Sequence, residues 1–105
     1  MPVKKAEFFM KIHESEKSRV LALCDKGLLG KEYSEGALHL DLKNYAYFYK
    51  GRLVGEEEAR AEMKIATSMN LAGKKSVALA GSLGLVGRDC VRTIGGVPHV
   101  QVYKI

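Results

Sequence analysis

The fold is decided by residues 6–24, which read AEFFMKIHESEKSRVLALC. Between Ala6 and His13, apolar side chains alternate with polar ones, which is the period of a half-buried strand. Polar residues 14–18 suit a turn, and the nearly unbroken apolar run Arg19–Cys24 is typical of a more deeply buried partner strand. We therefore predict that the domain begins with a β-hairpin.

The segments that follow the hairpin are less regular. Asp25 can cap a short helical turn, which Gly30 would close by adopting a positive φ. Leucines alternate with polar residues over 38–42 and predict a third strand. The aromatic-rich segment 45–54 is typical of a hairpin or an extended loop.

The hydrophobic period changes after Gly55. Three consecutive glutamates at 56–58 suit the first turn of a helix, where the helix dipole favours negative charge. Apolar residues then recur every three or four positions, so we predict a helix that starts at Glu56 and stops at Gly73. A second helix over residues 75–83 would complete a helical hairpin. Segments 89–94 and 99–105 predict two final strands on either side of a glycine turn.

This order of elements indicates an α+β fold. With 105 residues, of which 47% are hydrophobic and 28% charged, the composition is that of a globular protein. We predict one domain over residues 1–105, a two-layer sandwich in which two helices pack on one face of a mainly antiparallel sheet, in the order ββ(β)αα(β). The predicted core consists of Phe8, Met10, Ile12, Leu21, Leu23, Met63, Ala66, Val77, Ala80 and Val100.

Charge and cysteine content narrow the function classes. No apolar run reaches 18 residues, so we expect no membrane association and a cytoplasmic location. Cys24 and Cys90 are far apart in sequence, which favours reduced thiols. The net charge is +5, and residues 63–105 hold six basic side chains and one acidic. A basic segment of this kind can attract a polyanion such as RNA.

Familiar motifs for cofactors and metals are missing. Gly73-Lys74-Lys75-Ser76 lacks the first glycine of a phosphate-binding loop, and the glycines of 81–87 lie at the end of a helix rather than at its start. No two histidines or cysteines have the spacing of paired metal ligands. We therefore expect neither a metal nor a cofactor.

Residues Gly95–Gln101 form the most unusual local feature. Two glycines permit a tight turn, Pro98 stiffens the chain, and His99 and Gln101 then point to the same side of a strand. Such a strand face can bind a ligand or RNA. Alternatively, its polar groups are satisfied by the backbone within a tight turn.

Five motifs, taken together, connect the chain to a known family. The motifs are Cys24-Asp25 with Leu28-Leu29-Gly30-Lys31, then Glu35-Gly36, Phe48-Tyr49-Lys50-Gly51, Asn70-Leu71-Ala72-Gly73 and Ile94-Gly95-Gly96-Val97-Pro98-His99-Val100-Gln101. With them the chain resembles a small archaeal family known as domain of unknown function 424. The resemblance implies a compact two-layer α/β domain in a cytoplasmic archaeal setting, and it implies no established activity, cofactor or catalytic residue.

Three functions remain open, and the first is a non-enzymatic binding module associated with RNA or the ribosome. Basic side chains would contact phosphates and aromatic rings would stack on bases, although no established RNA-binding signature is present. We expect Lys31, His99 and Gln101 to share one surface. The full set of predicted contacts is Lys31, Lys74, Lys75, Arg88, Arg92, His99, Gln101 and Tyr103.

The other two functions rest on different residues. An adaptor for a protein partner, or a homo-oligomer, would use an aromatic patch made of Tyr45, Tyr47, Phe48 and Tyr49. A small enzyme would use Cys24 as nucleophile and His99 as base, with Asp25 and Lys31 beside them. The apolar run that ends at Cys24 favours a buried, unreactive thiol instead.

Overall fold

The computed structural model describes residues 6–104, apart from the side chain of Arg88, and these form a six-stranded sheet, a separate two-stranded hairpin and three α-helices. Short 3-10 turns occupy Lys26–Leu28 and Arg88–Cys90. The strands are β1 Phe8–Glu14, β2 Arg19–Asp25, β3 Glu32–Glu35, β4 Leu38–Asp41, β5 Arg52–Val54, β6 Ser68–Ala72, β7 Arg92–Ile94 and β8 Val97–Tyr103. The helices are α1 Ala46–Tyr49, α2 Glu56–Ile65 and α3 Lys74–Ser82.

The main sheet has the strand order β5-β1-β2-β6-β8-β7. Its neighbouring strands are antiparallel, except that β2 and β6 run parallel. The predicted opening hairpin is confirmed, because Phe8 lies opposite Asp25 and Glu14 lies opposite Arg19. The α+β class and the mainly antiparallel sheet are confirmed as well.

Helices α2 and α3 pack on the same face of this sheet, which we call the helix face. Met63 of α2 and Leu79 of α3 meet Leu21, Leu23 and Leu71 of the central strands in one apolar core. The predicted core residues are buried in this core except for two, Ile12 and Val77, which are partly buried and pack against it. The amphipathic patterns therefore located this layer correctly.

The opposite face of the sheet carries a second core. Side chains alternate along a strand, so Ala22 and Cys24 point away from Leu21 and Leu23. They meet Leu42, which follows β4, and Tyr49 of α1. Strand β2 is thus buried on both faces, which explains its continuous apolar sequence. The β3–β4 hairpin and α1 add a partial third layer that the sequence analysis did not predict.

The predicted end of the long helix, Gly73, is wrong. Helix α2 stops at Ile65, Ala66 has extended backbone angles, and residues 68–72 form strand β6. This strand pairs with β2 on one side and β8 on the other, so sheet hydrogen bonds on both edges replace the helical ones. The two helices are consequently separated by a strand rather than joined as a helical hairpin, and the predicted order ββ(β)αα(β) is corrected accordingly.

Asp25 has a structural role different from the predicted one. It makes no side-chain cap to the turn at Lys26–Leu28. Instead its Oδ2 accepts a hydrogen bond from the backbone N–H of Lys75 (2.9 Å), and its Oδ1 accepts from the N–H (2.8 Å) and Oγ (2.7 Å) of Ser76. Gly73 has φ +111°, and a Cβ there would collide with the Asp25 carboxyl. Asp25 therefore caps α3 from a distant strand, and glycine makes room for it.

The segment 45–54 forms a one-turn helix and a short strand rather than a hairpin or loop. The Nζ of Lys11 donates to the carbonyl of Tyr47 (2.9 Å), and the Nε2 of His13 lies 2.8 Å from the carbonyl oxygen of Phe48. The His13 ring also stacks on Phe48 at 4.4 Å between centroids. Strand β1 therefore fixes α1 on the second face of the sheet.

The last two predicted strands are found, with shifted bounds. The segment predicted over 89–94 begins as a 3-10 turn and becomes strand β7 only at Arg92. Strand β8 starts at Val97, two residues earlier than predicted, and Ile105 lies outside the described residues. Between them, the N–H of Gly95 donates to Oε1 of Glu35 (3.1 Å), which ties the glycine turn to the end of β3.

Candidate ligand-binding cleft

A polar stripe crosses three neighbouring strands of the sheet. Asn70 of β6 lies opposite Gln101 of β8, and His99 lies opposite Arg92 of β7. Residues in register on adjacent strands point to the same face, and so do residues two positions apart on one strand. Ala72, which pairs with His99, belongs to the second core. These polar side chains therefore lie on the face that carries α1 and the β3–β4 hairpin.

Two adjoining cavities open between this stripe and the elements that lie over it, which are α1 and the β3–β4 hairpin. The first, about 450 Å³, is lined by Asn70 from the sheet and by Tyr45 and Tyr47 from α1 and its N-cap, and we call it the tyrosine cavity. The second, about 440 Å³, is lined by Arg92 and Cys90, and we call it the arginine cavity. Both have the volume of a small-ligand site. The residues shared by the two cavities are His39, His99 and Gln101.

The polar groups of the stripe are available to a ligand. Within the described part of the chain, the side chains of Asn70, His99 and Gln101 make no hydrogen bond, although Asn70 and His99 are half-buried. No buried polar side-chain atom there lacks a partner, so these atoms must be reachable from the cleft. Accessible amide and imidazole groups at a cavity wall can donate hydrogen bonds to a ligand and accept hydrogen bonds from it.

Electrostatically, the cleft differs from one end to the other. At one end, Asp41 lines the tyrosine cavity. Its carboxylate accepts a hydrogen bond from the backbone N–H of Asn44 (2.8 Å) and further hydrogen bonds from the Asn44 side chain and the N–H of Lys43. These bonds keep the pKa of Asp41 below its usual range. In the arginine cavity, burial and then the positive charge of Arg92 lower the pKa of His99. At neutral pH the imidazole of His99 is therefore uncharged and can both donate and accept a hydrogen bond.

The predicted aromatic patch is divided by the fold. Tyr45 and Tyr47 are 58% and 62% exposed, and their rings lie 6.1 Å apart at the mouth of the tyrosine cavity. Tyr49 is buried in the second core, and burial raises its pKa, with a smaller contribution from Cys24. Phe48 is half-buried against His13. Two exposed tyrosines remain as a wall of the cleft, and the four residues do not form one flat patch.

The residues predicted for a small enzyme, Cys24 and His99, do not come together in the structure. Cys24 is fully buried, and burial, together with the charge of Asp25, raises the pKa of its thiol to about 12. Ala72 lies between Cys24 and His99 in the same cross-strand row, so the two side chains start about 10 Å apart, two strand spacings. The carboxylate of Asp25 already accepts hydrogen bonds from Lys75 and Ser76 at the start of α3. A thiol-imidazole mechanism does not fit this arrangement.

The structure brings together only part of the predicted RNA-contact set. Arg92, His99 and Gln101 share the cleft. Lys31 is exposed in the segment that covers the same face, but it lines neither cavity. Tyr103, 74% exposed, follows Gln101 on the same side of β8.

The remaining predicted contacts lie apart from the cleft. Lys74 and Lys75 are exposed at the start of α3, on the helix face, and the Nζ of Lys75 pairs with Glu7 at 3.1 Å. The side chain of Arg88 lies outside the described part of the structure.

Sequence reasoning missed most of the residues that complete the cleft. His39 appeared only as a polar residue in an alternating segment, and Asn70 was placed in the long helix. In the sequence, Asn70 stands between Met69 and Leu71, whose side chains are buried. This alternation of apolar and polar residues could have indicated a strand with one polar face. Over residues 6–104, no group of three His, Cys, Asp or Glu side chains is placed to hold a metal. No helix in the described ranges has the length and apolar character needed to cross a membrane.

Comparisons with known proteins agree with this fold. The family model described as "Protein of unknown function (DUF424)" matches residues 13–105, so the chain belongs to that family. A solved structure described as an uncharacterized conserved protein from Methanopyrus kandleri is similar to the chain, with 29% identity and a TM-score of 0.77. The similarity covers 93% of this chain and 91% of that one. No curated protein matches the sequence. None of these comparisons assigns an activity.

Proposed function

We propose that this member of a family of unknown function is a binding module that holds single-stranded RNA in the cleft. The observation that carries the proposal is the amide pair Asn70 and Gln101, which are cross-strand neighbours with unpaired polar groups at a cavity walled by Tyr45 and Tyr47. An amide offers one donor group and one acceptor, as the edge of a base does. Single-stranded RNA is recognised by such hydrogen bonds combined with stacking on aromatic rings.

The shape of the cleft favours single strands over duplex RNA. A base can enter a cavity of about 450 Å³ only when it is unpaired and turned out of a helix. Stacking of a base on an aromatic ring contributes about 1–3 kcal/mol, and the exposed rings of Tyr45 and Tyr47 are available for it. The net charge of +5 adds a general attraction to the phosphate backbone.

The experiment measures binding of a fluorescently labelled single-stranded RNA by anisotropy, at low and at physiological salt. We expect the affinity to fall as salt rises, with a logarithmic slope of about −0.7 for each phosphate neutralised. The double substitution Asn70→Ala with Gln101→Ala should weaken binding about tenfold, since it removes both amides from the cavity. Absence of binding at low salt, or equal binding by the double variant, would reject the proposal.

Two further variants serve as controls for position. Thr93→Ala changes an exposed residue of β7 that points away from the cleft, between Arg92 and Ile94, and should leave binding unchanged. The charge reversal Lys74→Glu with Lys75→Glu acts on the helix face. It should weaken binding only through long-range attraction, and 0.5 M salt should remove its effect because the Debye length there is about 4–5 Å. If this pair instead abolishes binding while the amide pair does not, RNA binds at the start of α3.

A further inference from the structure

We infer that the cleft orients its ligand, with a base in the tyrosine cavity and the neighbouring phosphate on Arg92 in the arginine cavity. This inference rests on the proposed function and adds a direction to it. It is drawn from the distribution of charged, amide and aromatic side chains between two cavities that share one wall.

Charge decides where the phosphate lies. Among the described residues that line the tyrosine cavity there is no lysine or arginine, and the charged one is Asp41, whose carboxylate is stabilised as an anion by the N–H groups of Lys43 and Asn44. A phosphate placed there would meet a like charge. The arginine cavity presents Arg92, and a guanidinium can form two parallel hydrogen bonds with a phosphate. The two ends of the cleft therefore accept opposite ends of a nucleotide.

Side-chain chemistry decides where the base lies. Asn70, Tyr45 and Tyr47 line the tyrosine cavity and not the arginine cavity. An asparagine amide can form paired hydrogen bonds with the edge of adenine, and the carboxylate of Asp41 can accept a hydrogen bond from an exocyclic amine. The tyrosine cavity thus combines polar recognition of a base edge with rings for stacking.

The shared wall fixes the direction between the two ends. Arg92 and His99 are partners on adjacent strands, about 5 Å apart, and Gln101 lies two residues farther along β8. Moving from Arg92 past His99 to Gln101 and Asn70 leads from the phosphate site to the base site. The ribose that joins base and phosphate would then lie beside His99, whose neutral ring can donate to or accept from a hydroxyl.

The test is an NMR titration of the isotope-labelled protein with adenosine and with adenosine 3′- and 5′-monophosphates, because NMR detects affinities in the millimolar range. In the wild type, all three should shift the side-chain amide signals of Asn70 and Gln101. At least one monophosphate should bind about tenfold more tightly than adenosine, since it adds a charge-assisted hydrogen bond.

Two charge-removing variants locate the phosphate. Arg92→Gln should reduce the affinity for that monophosphate to the level of adenosine and leave adenosine binding unchanged. Arg52→Gln removes the same charge at the opposite edge of the sheet, where Arg52 of β5 pairs with Glu58, and should keep the tenfold preference.

The outcomes separate this inference from the proposed function. An equal loss in both arginine variants, or a loss of adenosine binding in Arg92→Gln, would show that Arg92 does not hold the phosphate. Absence of any shift with the three ligands would also overturn the orientation. In each of these cases the anisotropy experiment with the amide variants still decides whether the cleft binds RNA.

Discussion

The two faces of the sheet differ in how completely they are covered. On the helix face, α2 and α3 bury Leu21, Leu23 and Leu71 to 0% exposure. The opposite face has a smaller core beneath α1 and the β3–β4 hairpin, and beside it Asn70 and His99 remain half-buried at an open cleft. A sheet packed fully on one side can tolerate unpaired polar groups on the other. Stability and binding are therefore expected to respond to different substitutions.

The largest effect should come from the helix face. Leu21→Ala removes a fully buried side chain, and we expect it to lower the free energy of unfolding by about 2–5 kcal/mol. Ile12 is the cross-strand partner of Leu21 but only partly buried, so Ile12→Ala should cost clearly less. Urea denaturation followed by circular dichroism measures both. Equal losses would contradict the difference in burial between Leu21 and Ile12 on the helix face.

The next effect should come from Asp25, which connects β2 to α3. Asp25→Ala removes the cap of α3 and leaves the buried hydroxyl of Ser76 without its carboxylate partner, so we expect a loss of about 2 kcal/mol. Asp25→Asn should retain part of this stability because its side-chain oxygen can still accept a hydrogen bond. Glu16→Ala, at an exposed turn, is the control and should change little. If Asp25→Ala leaves the free energy of unfolding unchanged, Asp25 does not stabilise α3 as a cap.

A smaller effect should come from pH and His99. The folded-state pKa of His99 is lowered, so the unfolded chain binds the proton more readily. This group therefore favours folding above its unfolded pKa of about 6.5, and its contribution is lost as pH falls from there through the lower folded pKa. Urea denaturation between pH 7.5 and 5 should show a weaker pH dependence for His99→Gln than for the wild type. An unchanged slope would contradict the burial of the ring.

The smallest effect on stability is expected at the amide pair. Asn70→Ala and Gln101→Ala remove no intramolecular hydrogen bond, so each should change the free energy of unfolding by no more than about 0.5 kcal/mol. The same substitutions should weaken RNA binding, which separates the cleft from the packed face. A large loss of stability would instead assign Asn70 and Gln101 to the structure of the sheet.

Local sequence patterns predicted the elements whose structure follows from their own pattern of apolar and polar residues. The alternation over residues 6–13 and the apolar run Arg19–Cys24 predicted the β1–β2 hairpin, and the glutamates at 56–58 predicted the start of α2. Strand β6 was missed because Met69 continues the helical spacing of Ala59, Met63 and Ala66. The choice of strand there depends on pairing with β2 and β8, which no local pattern contains.

Only part of the candidate site was predictable from the sequence. His99 and Gln101 were identified because the alternation of β8 shows both residues on one side. Asn70 and the pair Tyr45 and Tyr47 enter the cleft from segments about 30 to 55 residues earlier in the chain. Lys74 and Lys75 were grouped with His99 by charge alone, and the sheet separates them. Residues from distant segments share a site only through the packing of α1 onto β1 and of β6 beside β8.

The parallel pair β2–β6 has a consequence for how the chain folds. Its two strands are separated in sequence by residues 26–67, which include the β3–β4 hairpin, α1, β5 and α2. The β1–β2 hairpin needs only a short turn, whereas joining β6 to β2 requires closing this long loop, and contacts between distant residues slow folding. Formation of the pair is therefore expected to be the slow step, with the hairpin as its template. Since β8 pairs with β6, the cleft would be completed only after that step.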